Sequence, residues 1–194
     1  MNNDRLHFRA VQVNQRNRIR YRVGQFLGGL QAGVTGAERE EAARLLAPAA
    51  FCLFQRMPAD AQRHSLNVLF TLQRADFADP DLAAAALLHD VGKVAAADAG
   101  APSGLWFRGP LVLAEAIMPG RLAALANDDP DGGWRYAIWV HFEHPHVGAD
   151  WAHQAGCSDL TCRLIQFHQS NPEAGADEHF VTLLAALRWA DDRN

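Results

Sequence analysis

Residues 82–93, LAAAALLHDVGK, constrain the fold of this chain more than any other stretch. They predict a helix with no charge between Leu82 and Leu88, and a helix this apolar on every side must be buried nearly all round. Its C-terminal end then carries His89 and Asp90 into or beside the core, where two polar side chains need a compensating partner. A divalent metal satisfies a neutral imidazole and a carboxylate together. Capping or hydrogen bonding within the protein is the simpler alternative. Adjacent helical residues point about 100° apart, so both can reach one ion only where the helix ends or bends, and Gly92 is the expected terminator. Lys93 follows, the only lysine in the chain, and an ammonium beside such a pair points to an anion contact.

The supply of further ligands favours the metal. The chain has nine histidines, and His64, His141, His144, His146 and His168 fall in segments that read as buried helices, with Asp191 in the last one. Asp60 lies four residues before His64 and so on the same helix face, although a carboxylate in a first helical turn is the more ordinary reading.

The order of these residues resembles the HD superfamily of metal-dependent phosphohydrolases. The resemblance rests on His64 in QRHSLNVL, His89 and Asp90 in LLHDVGK, His144 in HPHVGAD, His168 in LIQFHQS and Asp191 in LRWADD, and it covers residues 60–192. It implies an all-α helical bundle of the HD-domain type. His64, His89, Asp90 and Asp191 would hold one metal, and Asp90 would bridge to a second held by His144 and His168. His144 matches the HP-x-x-G pattern, whereas His141 and His146 do not. The chain lacks the paired histidines and Gly-Tyr-Pro signature of the branch that cleaves cyclic dinucleotides, having His168-Gln169 and then SNPEAGADEH.

The remaining residues supply the surroundings. A chain of 194 residues is ample for one core. Residues 1–58 read as an N-terminal basic arm with accessory helices, and residues 59–194 as the metal-binding domain. The net charge of −4 hides six arginines and one aspartate within residues 1–22, a balance of +5 that leaves −9 for the rest. Such an arm could touch nucleic acid, but it carries no nucleic-acid motif or aromatic interleaving. It suits instead an acidic face of its own protein or of a second subunit, as in a homodimer. No membrane span or signal peptide is visible, so the expected location is cytoplasmic. Cys52, Cys157 and Cys162 have no metal-binding spacing and read as buried, reduced thiols.

Helix signals recur along the chain, and no strand-like alternation does. Tyr21–Gln31 reads as a short amphipathic helix. Thr35-Gly-Ala-Glu38 is a capping box, Pro48 interrupts or restarts the helix that follows, and a helix over Ala59–Ala75 bears His64. Asp79-Pro80 opens the central helix, and AAADAGAPSG reads as a small-residue loop beside the site. A helical pattern from Leu105 is broken at Pro119-Gly120 and resumes as RLAALA, after which NDDPDGG is a turn. Trp134–Phe142 is expected to be one helix, with Pro145 opening another that places His144 at its start. Ser158 caps the helix of His168, and Phe180–Asp191 forms the last.

Histidines and carboxylates without cysteine favour Mn, Fe, Co, Ni or Zn, two ions in the arrangement the resemblance implies. The expected chemistry is hydrolysis of a nucleotide or related phosphate ester or phosphodiester by metal-activated water. Asp90 would bridge the ions, and Lys93, with Arg63 or Arg108, would meet the phosphoryl oxygens. The same ligand set also resembles a branch that activates oxygen at a mixed-valent di-iron centre, and a non-catalytic signalling module is the third reading.

Overall fold

Residue chemistry explains where five of the helices start. A computed structural model describes residues 33–103, 111, 114, 120–172 and 174–194; the basic arm, the Tyr21–Gln31 helix, Arg108 and most of the pattern beginning at Leu105 lie outside the described residues. Helix α1, Gly36–Leu45, opens on the expected capping box: Glu38 N donates to Thr35 Oγ1 at 3.3 Å, and Thr35 N donates to Glu38 Oε2 at 2.8 Å. Pro48, whose missing N–H costs nothing in a first turn, restarts the chain as α2, Pro48–Arg56. Helix α3, Ala59–Arg74, buries Leu66, Val68, Leu69 and Leu72. Asp79 caps α4, Pro80–Leu88, by accepting from Asp81 N at 2.9 Å and Leu82 N at 3.0 Å. After a 3₁₀ turn at Val91–Lys93 and the short α5, Val94–Asp98, the chain builds α6, Trp134–Gln154, then α7, Asp159–Phe167, and α8, Glu178–Asp191. Ser158 caps α7 and Asp177 caps α8. The fold is all-α, with no strand among the described residues.

Helix α4 is the axis of the bundle. It packs against α1, α2, α3, α7 and α8, and Leu82, Leu87 and Leu88 are fully buried in the core they share. Each such leucine stabilises the fold by about 1.5–3 kcal/mol relative to exposure. The N-termini of α4 and α7 are joined by Thr161 Oγ1, which donates to Asp81 Oδ1 at 2.9 Å. Among the described residues no helix is long and apolar enough to cross a membrane.

Five local expectations are corrected. Helix α6 is continuous through Pro145, so His144 sits in a helix interior. The carbonyl orphaned by proline, His141 O, accepts instead from His144 Nδ1 at 2.8 Å, which replaces the hydrogen bond that proline removes. Gly92 is not a helix cap, since α4 already ends at Leu88. A Cβ on Gly92 would lie 2.1 Å from His144 O and 2.7 Å from Gly148 N, so glycine is there to let the backbone of α6 pass. The stretch after Lys93 begins as helix α5 rather than as a loop, because Val94, Ala95 and Ala96 have an interior to enter. RLAALA forms only a 3₁₀ turn at Ala123–Leu125 and buries nothing there. Cys52 is exposed, while Cys157 and Cys162 are half-buried; all three are free thiols, as expected.

A candidate metal centre

Five segments deliver six side chains to one place. His64 comes from the middle of α3, His89 and Asp90 from the junction of α4 with the 3₁₀ turn, His144 from the middle of α6, and His168 and Asp191 from the ends of α7 and α8. Asp90 is central. Its Oδ1 lies 3.5 Å from His144 Nε2 and 3.8 Å from both His89 Nε2 and His168 Nε2, and its Oδ2 accepts from Lys93 Nζ at 2.6 Å. Asp191 Oδ1 lies 2.9 Å from His64 Nε2 and 3.5 Å from His89 Nε2. The backbone of Asp90, at φ −100° and ψ 2°, occupies the bridge region that many active-site residues adopt.

Backbone carbonyls aim the buried rings. Nδ1 of His89, His144 and His168 contacts Ala86 O at 3.0 Å, His141 O at 2.8 Å and Ile165 O at 2.7 Å. A carbonyl can only accept, so each Nδ1 carries a proton, and in the neutral rings of His144 and His168 Nε2 turns a lone pair inward. Nε2 of His144 and of His168 are buried and have no hydrogen-bond partner. Two stranded acceptors in one pocket are costly unless something cationic or protic lies between them.

The electrostatics show the same need for positive charge. Burial by itself would lower the His89 pKa, but the carboxylates of Asp90 and Asp191 override it and raise it to about 9. The metal-free site thus retains a proton beside its two carboxylates. Burial, with His89 and His144 as neighbours, pushes His168 down to about 3 and keeps it neutral. His144 is likewise lowered, by burial and then by Lys93. Against the opposing effect of burial, Lys93 and His89 hold Asp90 well below the usual carboxylate range, and His89 and His64 do the same for Asp191.

The donor atoms form two groups that could each hold a metal ion, His64 with His89 and Asp90, and Asp90 with His144 and His168; within each they lie no more than 4.8 Å apart. The chemistry of this donor set fits a divalent ion. The side chains of His64, Lys93 and Asp191 are 24–29% exposed, while those of His89 and His144 are wholly covered.

Other candidates are placed elsewhere. Arg63 is committed to Glu38, donating to both carboxylate oxygens at 2.6 Å, and to Gly33 O at 2.8 Å, so it is not a phosphate contact. His146 is exposed and meets Gln166 at 3.3 Å; Asp60 stays in the first turn of α3. Sequence reasoning missed Arg188, which donates to His168 O at 3.0 Å and Phe167 O at 2.6 Å and so ties the end of α7 to the helix of Asp191. Only its spacing, one turn before Asp191, could have drawn attention to it. Comparison of the chain with protein-family models, curated proteins and solved structures gives no match.

Proposed function

We propose that this chain is a metal-dependent phosphohydrolase of the HD type, acting on a nucleotide or related phosphate ester or phosphodiester. The observation that carries the reading is Asp90, one buried carboxylate shared by two triads whose partners His144 and His168 turn unpartnered Nε2 lone pairs toward it. A pair of divalent ions, Mn, Fe, Co, Ni or Zn, would supply an acidified water and a clamp for the phosphoryl oxygens. His64, His89, Asp90 and Asp191 would hold one ion, with Asp90, His144 and His168 around the other. Lys93 is partly exposed and bonded to Asp90, and its ammonium would neutralise charge growing on a phosphoryl oxygen.

The test joins metal analysis of protein purified without chelator to hydrolysis assays on a panel of nucleotides and phosphodiesters. Cleavage under nitrogen with Mn or Zn is the expected result. Bound metal together with turnover that requires oxygen and ferrous iron would replace the hydrolase with an oxygenase. Protein that binds no divalent ion would remove the reading.

A further inference from the structure

The three covered histidines reach the same kind of hydrogen bond by two routes. In α4 the backbone ladder ends with His89 N donating to Ala85 O at 2.8 Å, which leaves Ala86 O in a last turn where intrahelical amides run out. The His89 ring takes that oxygen. His168, the C-cap of α7, likewise takes a last-turn carbonyl through Nδ1, Ile165 O at 2.7 Å, which there also accepts a longer bond of 3.5 Å from the His168 amide.

His144 has no helix end to exploit. In the interior of an α-helix the carbonyl of residue 141 is bonded by the amide of residue 145, four positions on. Residue 145 is proline and has no N–H. His141 O is therefore left for the His144 ring, 2.8 Å away, in the middle of a 21-residue helix. His64 gives the contrast. It is followed by Ser65 within α3 and is held from the opposite ring nitrogen, through Nε2 against Asp191 at 2.9 Å.

We propose that Pro145 is a positioning residue for this centre: the amide it lacks gives the His141 carbonyl to His144, fixing that ring with Nε2 unprotonated and turned to Asp90. An amide at position 145 draws the carbonyl back into the helical ladder, and the ring loses the partner that sets its tautomer and its angle. The consequence for metal binding rests on the metal reading above. The consequence for the tautomer does not, since it belongs to the metal-free chain.

The experiment therefore has two arms. Nitrogen-15 NMR of the histidine rings in metal-free wild-type protein should show His144 protonated at Nδ1, with that proton protected from solvent. In Pro145→Ala the protection should be lost or the two tautomers should mix, while His89 and His168 keep their Nδ1 protons. In the second arm, titration with Mn²⁺ alone should show the ion held by Asp90, His144 and His168 bound about 10–100-fold more weakly in Pro145→Ala, the usual effect of removing the group that orients a ligand histidine. The ion at His64, His89 and Asp191 should bind nearly as before, a difference that general loosening of the fold would not produce. An Nε2-protonated His144 in the wild type overturns the proposal even if the variant fails to fold, and so does an unchanged His144 spectrum in a folded variant. A wild type that shows the expected tautomer but binds no Mn²⁺ overturns the metal reading and leaves the role of Pro145 in setting the tautomer standing.

Discussion

Replacing Gly92 by alanine tests how tightly α6 is seated on the metal-ligand doublet. The added Cβ would meet His144 O at 2.1 Å, Gly148 N at 2.7 Å and the His144 carbonyl carbon at 2.9 Å. All three atoms are backbone, so no side chain can swing away. Restoring ordinary contact at 3.4 Å requires α6 and the turn to part by about 1.3 Å, several helical contacts at once. Overpacking typically costs about 1–3 kcal/mol, and a clash between two backbones belongs at the upper end. At about 2–4 °C per kcal/mol for a chain of this size, Tm should fall by roughly 6–12 °C. The same parting moves His144 away from Asp90, whose facing atoms are now 3.5 Å apart, so metal affinity should fall with it. Gly148→Ala is the control. Its nearest contacts are 3.2–3.4 Å, two of them side-chain methyls of Ile165 and Val91, and alanine gains about 0.8–1 kcal/mol of helix propensity. Its Tm should stay close to wild type. Thermal melts followed by circular dichroism, with metal titration of both proteins, decide the matter; a Gly92→Ala protein that melts with the wild type and binds metal equally well would refute the packing argument.

Asp90→Ala should lose both ions, whereas His168→Ala should lose mainly the one shared with His144; metal analysis showing two ions per chain in either variant would contradict the shared-carboxylate arrangement. Lys93→Ala should keep its metal and fold but lower turnover of a cleavable phosphate ester by about 100-fold, the scale of one charged transition-state contact, and Lys93→Arg should also fall short of wild type. Unchanged turnover in Lys93→Ala would reduce the ammonium to a partner of Asp90. The Arg63 guanidinium and the Thr35 amide beside Glu38 hold its carboxyl down at about 2 against an ordinary 4.5. A depressed carboxyl contributes stability that is complete above pH 4.5 and lost as pH falls toward 2. Glu38→Gln should accordingly be less stable than wild type near neutral pH, by about 1 kcal/mol at this partly exposed pair, with the gap closing in denaturant melts run at progressively lower pH through that window. A gap that stays constant with pH would show that the effect does not come from the ionised carboxylate.

The elements that could be read from the sequence are those governed by neighbours in the chain. Thr35 with Glu38, Asp79 with Pro80, and Ser158 before α7 each satisfy amides within three residues, so local spacing suffices to name them. The six convergent side chains could be named because the order of residue types resembles a known pattern, and the bundle brings them within reach of one another. What was illegible depends on partners far away. Gly92 looks like a helix stop until α6 is seen to cross it, and Arg63 looks available until Glu38, 25 residues earlier, is seen to hold it. Pro145 misleads for a subtler reason: the usual rule counts the donor proline removes, but not a ring that can replace it. Arg188 bonds to carbonyls 18–21 positions away, and no pattern of residue types reveals such a contact.

The scatter of the six side chains along the chain has a consequence for folding. Residues 64 and 191 stand 127 positions apart and touch only when α3 and α8 have docked. Contacts this distant in sequence carry a loop-closure cost that local structure cannot offset, so the complete ligand set is a property of the finished bundle and of no sub-fragment. Any ion it holds binds the native state alone and stabilises it by mass action, about 2.7 kcal/mol when the free ion exceeds its Kd a hundredfold. That increment belongs to the whole cooperative unit. Heat or denaturant should then unfold the loaded protein in one transition displaced as a whole, with slow hydrogen exchange extending to helices, such as α1, that contribute no ligand.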